Sequence, residues 1–99
     1  MVFVELKKSY IKGKKYTAIF YDDDRNKIKT THFGSAGMSD YTKHKSDQKK
    51  NLYILRHSVN ENWNDYKTAG ALSRWILWNK TTIDESFNHY LKKFGLKKY

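Results

Sequence analysis

Apolar and polar residues alternate through the first third of the chain, which is the pattern of β-strands with one buried face. The segments that carry this pattern or are rich in strand formers are residues 2–7, 16–21 (YTAIFY) and 27–33 (KIKTTHF). A turn around Gly13 and a polar turn at residues 22–26 (DDDRN) separate them. Tight connections of this kind join neighbouring antiparallel strands, so we expect a three-stranded antiparallel meander.

The period changes to that of a helix in the middle of the chain. Ser46 and Asp47 can cap a helix that runs to about Ser58. One stripe of that helix is apolar, and its members are Leu52, Leu55 and Val59. Thr68 can cap a second helix, from Ala69 to about Trp78, with Leu72, Trp75 and Ile76 as its apolar residues.

The last helix has the most complete signals. Thr82 and Glu85 have the spacing of a capping box, and Gly95 can supply a left-handed C-cap. An apolar stripe at helical spacing lies between these signals, formed by Ile83, Phe87, Tyr90, Leu91 and Phe94. The prediction is therefore one α+β domain over residues 1–99, a three-stranded antiparallel meander followed by three helices packed on one face.

Charge is the strongest feature of the composition. Twenty Lys and Arg residues face ten Asp and Glu, for a formal net charge of +10 and a pI near 9.7. Such an excess favours a polyanionic partner, although an A/T-rich genome also inflates lysine content. Seventeen of the cations are lysines and three are arginines, which favours attraction to a phosphate backbone over readout of bases.

Other classes of protein are disfavoured by what the chain lacks. It has no cysteine, so disulfides and cysteine zinc sites are excluded. No apolar run approaches the ~20 residues of a membrane span, and residues 1–10 do not resemble a signal peptide. We therefore expect an intracellular, soluble protein that is not secreted.

Candidate nucleic-acid contacts concentrate in two stretches. The first lies in and beside the first helix, where lysines, an arginine and two aromatic rings come together: Tyr41, Lys43, His44, Lys45, Lys49, Lys50 and Arg56. The second covers the last turn of the last helix and the residues after it: Lys92, Lys93, Lys97 and Lys98. Lysines neutralise phosphates, and Tyr41, Trp63 and Tyr66 are candidates for stacking on exposed bases. A solvated helix face is the alternative explanation for any single lysine.

The stretch HFGSAGMSDYTKHKS, residues 32–46, carries most of the unusual chemistry. Gly34 and Gly37 permit the positive φ that ends a strand sharply. Ser39 and Asp40 can cap a turn, with Thr42 supporting it. A structural corner therefore accounts for this stretch without catalysis, and it presents part of the first basic set at its edge.

A catalytic alternative remains. Asp40 and His44 are four residues apart, and so are His57 and Glu61, which are groups that a divalent-metal nuclease could use. The spacing matches no zinc-protease motif, and no phosphate-binding glycine loop is present. The three carboxylates at residues 22–24 fit a turn better than a metal site. We assign no catalytic residue, no metal ligand and no cofactor.

Several short motifs of the sequence resemble those of one protein family. They are HFG (residues 32–34), G-x-SDYTxH (37–44), RH (56–57), ENW (61–63), TAGxLSR (68–74), LWNK (77–80), Ser86 and a closing KKFGL (92–96). Together they resemble the short basic proteins of large nucleocytoplasmic DNA viruses related to mimivirus and the phycodnaviruses. The pattern often has proline after LWNK, where this chain has Thr81, a variation at a helix start. No activity follows from the resemblance, which implies a viral setting.

These observations lead to one expectation with two alternatives. We expect a viral DNA-binding protein that condenses or coats the genome through lysine–phosphate contacts without sequence preference. Double-stranded DNA is the expected partner, a homo-oligomer stays open, and membrane binding is not expected. The location implied is the virion and the viral factory of the host cell. The alternatives are a virion structural or adaptor protein that binds acidic partners, and a small metal-dependent nuclease.

Overall fold

The computed structural model describes residues 1–99 and has a four-stranded mixed sheet with helices. In chain order the elements are β1 (Phe3–Lys8), β2 (Lys14–Tyr21), β3 (Lys27–Ser35), α1 (Tyr41–His44), α2 (Asp47–His57), α3 (Ala69–Leu72), α4 (Ile83–Phe94) and β4 (Lys97–Lys98). A π-helical turn, Ser73–Leu77, continues α3. No helix has the length and apolar character that crossing a membrane requires.

The predicted fold class is wrong in both its sheet and its helices. The three predicted strands do pair antiparallel, but β4 adds a fourth strand parallel to β1, so the order is β3-β2-β1-β4. Four helices replace the expected three, because Asp40 caps a separate short helix before α2. The amides of Lys97 and Tyr99 donate to the carbonyls of Val2 and Val4, which joins β4 to the otherwise open edge of β1.

The core lies between one face of the sheet and the second half of the chain. The strand register pairs Val4 with Phe20 and Tyr16 with Phe33, which aligns their side chains on one face. Apolar residues of α3, its π-helical continuation and α4 pack against that face, and Leu96 closes the core beside β4. The predicted stripe of α4 is confirmed: Phe87, Tyr90 and Leu91 are buried, and Ile83 and Phe94 pack against the core cluster.

The helix ends follow the predicted caps. Side-chain oxygens of Ser46, Thr68 and Thr82 accept backbone amides at the starts of α2, α3 and α4. Gly95 ends α4 in the left-handed conformation with φ +64°. Only half of the predicted capping box forms, because the Glu85 carboxylate accepts from the Thr82 hydroxyl at 3.2 Å.

The apolar stripe of α2 lies on the outside of the molecule. Leu52, Leu55 and Val59 are 50%, 70% and 79% exposed. The inner side of α2 carries Tyr53, which is buried against Trp78, with 4.4 Å between ring centroids and 4° between planes. A single aromatic stack therefore decides which face of α2 points inward.

Candidate nucleic-acid interface

Asp40 organises the corner between β3 and α1. Its carboxylate accepts from the Thr42 amide at 2.9 Å and from the Thr42 hydroxyl. It also forms an ion pair with Lys15 of β2, whose side chain is 9% exposed, while that of Asp40 is 2% exposed. Burial makes this pair expensive to break, because either partner alone would be an uncompensated charge. Asp40 thus ties the corner to the sheet, as the structural interpretation predicts.

Tyr41 and Lys50, both predicted contacts, are committed to packing. The Tyr41 hydroxyl donates to Asp47 at 2.6 Å, and that hydrogen bond, with burial, raises the Tyr41 pKa. The Lys50 ammonium donates to the Asn79 carbonyl at 2.7 Å and lies 4.7 Å from the Tyr41 ring centroid. Burial, followed by the charges of Arg74 and Lys80, lowers the Lys50 pKa. Neither side chain is free to reach a phosphate.

His44 is half-buried beside the same corner. Its Nδ1 accepts from the Ser46 amide at 3.0 Å, and its ring centroid lies 5.3 Å from that of Trp78. Its Nε2 is buried without a hydrogen-bond partner. His44 therefore supports the entry to α2 more than it faces solvent.

The remaining predicted cations are exposed. Lys43, Lys45, Lys49 and Arg56 project from α1, its C-cap and α2, and we call these four the α2 patch. The second predicted set is exposed as well, and we call it the β4 patch: Lys92, Lys93, Lys97 and Lys98. Within it, the Lys93 ammonium lies 4.4 Å from the Trp75 ring centroid. The two patches lie on different elements, the first on α1 and α2 and the second on α4 and β4.

Carboxylates neutralise very little of this charge directly. Lys15 is the only lysine or arginine that forms an ion pair with an Asp or Glu side chain. A second ion pair joins the N-terminus to Asp23, and His57 contacts the Glu61 carboxylate at 3.2 Å. The lysine-rich surface therefore has uncompensated positive potential, which attracts polyanions.

Arg74 is an exception among the arginines, because aromatic rings enclose it. Its guanidinium lies 4.3 Å from the Trp75 ring centroid and 5.5 Å from that of Trp63, and it donates to the Trp78 carbonyl at 2.8 Å. Burial lowers its pKa. Arg74 thus holds the π-helical turn to the preceding loop, and Trp63, a predicted stacking residue, is one wall of this arrangement.

A cleft of about 320 Å³ adjoins the α2 patch and is lined by residues of β2, β3, α2 and α3. Glu61 lies in it, accepting from the Trp63 indole at 2.9 Å and in contact with His57 at 3.2 Å. Gly70 closes against the Glu61 carboxylate so tightly that a Cβ there would lie 3.2 Å from Cδ. Sequence reasoning named several lining residues but not the cleft, because its walls are far apart in the chain.

The proposed metal-site residues do not assemble into a metal site. Asp40, His57 and Glu61 line the cleft, but His44 does not. Asp40 is occupied by Lys15 and Thr42, and Glu61 by Trp63 and His57. Nowhere in the chain do three His, Asp or Glu side chains come close enough to hold an ion together. This arrangement does not favour the nuclease alternative.

The fold and the surface together define a small basic α+β domain with two exposed lysine patches and an adjoining polar cleft. Within that class, the chain belongs to a family of unknown function, DUF5754, whose family model matches residues 4–57. No curated protein and no solved structure matches the chain. The matched residues span β1 to the end of α2, so they include the corner, the α2 patch and one wall of the cleft.

Proposed function

We propose that this protein binds nucleic acid, with double-stranded DNA as the preferred form, through lysine–phosphate contacts that do not read sequence. The observation that carries the proposal is the uncompensated charge: a net +10 with a single Lys–Asp ion pair among twenty lysines and arginines. Phosphates that meet such a surface release their condensed counterions, which is the main source of sequence-independent affinity.

The contacts come from the α2 patch and the β4 patch. Tyr41, His44 and Lys50 act behind the surface by positioning α1 and α2, and they are not proposed to touch phosphate. Arg74 is enclosed, which leaves Arg25 and Arg56 as the exposed arginines. A surface with so few guanidinium groups has little capacity for bidentate recognition of guanine.

The presence of two lysine patches supports a role in condensation. The α2 patch lies on α1 and α2, and the β4 patch lies on α4 and β4. A molecule with two sets of phosphate contacts can bridge two duplexes. The sequence motifs that resemble those of proteins from large DNA viruses extend this proposal to genome packaging in the virion and the viral factory. Mass spectrometry of purified virions tests that setting, and absence of the protein from virions would contradict it.

The test is fluorescence anisotropy with duplexes of unrelated sequence, their single strands and an RNA duplex, over a salt series. We expect equal affinity for the duplex sequences and a steep fall with salt, with a slope of about 0.9 per phosphate contact. Charge reversal of the α2 patch to Glu lowers affinity and reduces that slope by about 1 per cation removed from the interface.

The matched control reverses four exposed lysines of β1, β3 and the turn between β1 and β2: Lys7, Lys12, Lys27 and Lys29. This control has the same net charge, so any difference from the α2-patch variant reports location. If the two variants lose the same affinity, binding is diffuse and the proposed interface is wrong. If the unsubstituted protein does not bind duplex even at low salt, the proposed function is wrong.

A second candidate function has its own observation in the exposed stripe of α2. Leu52 and Leu55 of α2 and Val59 in the turn after it are exposed, as are Lys49 and Arg56 of the same helix. Monomeric proteins seldom leave aliphatic residues aligned in this way, and aligned strips mark protein contacts. The adjacent cations favour an acidic amphipathic helix as the occupant, and the net charge of +10 opposes a second copy of this chain.

A synthetic acidic amphipathic peptide tests this adaptor function. It should bind in moderate salt, and Leu55→Ser with Val59→Ser should abolish binding while leaving duplex affinity unchanged. Asn51→Ser, on the same helix, is the control. Peptide binding that survives the paired substitution would contradict the docking surface, and so would self-association of the chain through the same residues.

A further inference from the structure

The cleft beside α2 has residues that no part of the duplex interface uses. Its volume of about 320 Å³ lies at the lower end of the range for small-molecule sites. Its lining combines the start of β2, the end of β3, the inner side of α2 and the beginning of α3. Four segments that are distant in sequence thus converge on one concave surface.

The acidic side chains of the cleft have partners within the protein, whereas two of its basic side chains form no ion pair. Both carboxylates have partners: Asp40 is paired with Lys15, and Glu61 contacts His57 and the Trp63 indole. Lys14 and Arg56 also line the cleft, and neither forms an ion pair. The unpaired charge in the cleft is therefore positive, which favours an anionic ligand group.

The polar groups of the cleft include unused hydrogen-bonding capacity. The hydroxyls of Ser39 and Ser73 line it, and neither side chain is hydrogen-bonded to the protein. His57 contacts Glu61 through Nδ1, which leaves Nε2 for another partner. Phosphate oxygens accept from hydroxyl, guanidinium and ammonium groups alike, so this set suits a phosphate.

The geometry of the walls is held firmly. Gly34 adopts φ +80°, and a Cβ there would lie 2.7 Å from Leu77 Cδ1, so only glycine fits between β3 and the π-helical turn. Gly70 makes the corresponding close approach to Glu61. Because two hydrogen-bonding partners and this glycine hold the Glu61 carboxylate, its remaining acceptor sites keep fixed directions.

The aromatic column along α2 ends at this cleft. Trp78 stacks on Tyr53, and Tyr53 stacks on His57 with 4.2 Å between centroids. His57 lines the cleft, and its side chain is 41% exposed. A planar base can extend such a column by stacking on the imidazole.

We propose that this cleft binds a nucleoside phosphate, with Lys14 and Arg56 on the phosphate and Glu61 accepting from N–H or O–H groups of the nucleoside. Glu61 is the feature that separates this ligand from inorganic phosphate, because a nucleoside offers N–H and O–H donors on uncharged groups, whereas the P–OH groups of inorganic phosphate bring negative charge up to the carboxylate. The ligand is either a free nucleotide or the 5′-phosphorylated end of a strand, which share this chemistry. The cleft shares Arg56 with the α2 patch, but Lys14 and Glu61 belong to neither patch, so substitutions at these two residues test the proposal separately from duplex binding.

The experiment is a titration of the ¹⁵N-labelled full chain, followed by amide shifts. The probes are AMP, adenosine, inorganic phosphate, and one trinucleotide with and without a 5′-phosphate. We expect AMP to shift the amides of Gly34, Ser39, Gly70 and Ser73, and to bind more tightly than adenosine or phosphate. Tighter binding of the phosphorylated trinucleotide than of AMP indicates a strand end, and the reverse indicates a free nucleotide.

Three variants make the test specific. Lys14→Gln weakens AMP binding by about tenfold or more, the loss expected for one charge-assisted hydrogen bond. Lys12 is an exposed lysine of the same turn that does not line the cleft, so Lys12→Gln leaves the affinity for AMP unchanged. Glu61→Gln removes the preference for AMP over inorganic phosphate. Dispersed amide spectra establish that each variant is folded.

The proposal is overturned if AMP does not shift the cleft amides. It is also overturned if Lys12→Gln and Lys14→Gln weaken AMP binding equally. It is also overturned if inorganic phosphate binds as tightly as AMP. Duplex binding and AMP binding can each fail without the other, so the two proposals are tested separately.

Discussion

Tyr53 lies flat on Trp78, with 4.4 Å between ring centroids and 4° between ring planes, and this stack attaches α2 to the body of the protein. No residue of α2 belongs to the buried core cluster, so the helix is held by contacts of its own. Besides this stack they include the parallel Trp63 ring, 6.4 Å from that of Tyr53, and the hydrogen bonds Lys50–Asn79 and Tyr41–Asp47. The stack also links the α2 patch to the cleft. Stability, the proposed interface and the proposed ligand site therefore meet at Tyr53.

Tyr53→Ala should lower the free energy of unfolding by about 3–5 kcal/mol, the usual loss for deletion of a buried aromatic ring. Tyr53→Phe should change it by less than about 1.5 kcal/mol, because the buried ring is kept and the hydroxyl has no hydrogen-bond partner to lose. Urea unfolding monitored by tryptophan fluorescence measures both. An equal loss in the two variants would show that the hydroxyl, and not the stack, holds α2.

Gly34→Ala should destabilise the protein by about 1–2 kcal/mol from the left-handed backbone alone, with an added cost from the clash with Leu77. Gly37→Ala is the matched control in the same corner, since Gly37 has no positive φ and open space around its Cα. We expect the control to leave stability unchanged or raise it by up to about 1 kcal/mol. Chemical denaturation of both variants provides the comparison, and a tolerant Gly34 would refute the close approach.

Asp40→Asn should cost about 3–5 kcal/mol, because it keeps a capping side chain but leaves Lys15 buried without a counter-charge. Adding Lys15→Met should recover part of that loss. The same substitution at the exposed Asp23, which pairs with the N-terminus, should cost no more than about 1 kcal/mol. A double-mutant cycle by thermal unfolding measures the coupling between Asp40 and Lys15. If the effects of Asp40→Asn and Lys15→Met are additive, the two side chains are not coupled and this prediction is wrong.

His89 should make the protein less stable in mild acid. Burial, followed by the charges of Lys80 and Lys93, lowers its pKa below 6.5, so the folded state keeps the imidazole neutral. As the pH falls through 6.5, the unfolded chain binds a proton that the folded chain does not, and the free energy of unfolding decreases. His89→Gln should flatten the pH dependence between neutral and acidic pH. If His89→Gln leaves the pH dependence of the free energy of unfolding unchanged, another group causes that dependence.

The local signals in the sequence were reliable where short-range physics decides the structure. Caps form where oxygen side chains precede an apolar period, as at Ser46, Thr68 and Thr82. The stripe of α4 is long enough to identify its buried face. The turn at residues 22–26 forms because Asp22 accepts nearby backbone amides. Each of these depends on neighbours within a few residues.

The candidate site was predicted in part. Four of the predicted contacts are exposed, namely Lys43, Lys45, Lys49 and Arg56. Tyr41 and Lys50 were predicted from the same stretch of sequence, but their side chains form hydrogen bonds within the protein. Nothing local distinguishes a free lysine from one that donates to a carbonyl twenty-nine residues away. Likewise, the pairs Asp40–His44 and His57–Glu61 have identical spacing, yet only the second forms a contact between side chains.

The sequence by itself determined the strand and helix periods, the caps and the excess of positive charge, because these depend on residue type and near neighbours. The tertiary structure decided the rest. A two-residue β4 has no period to detect and exists because the β1 edge accepts it. The stripe of α2 faces outward because the opposite side of the helix carries Tyr53, which is buried in the stack on Trp78. The cleft exists only where four distant segments converge, since long-range packing alone brings them together.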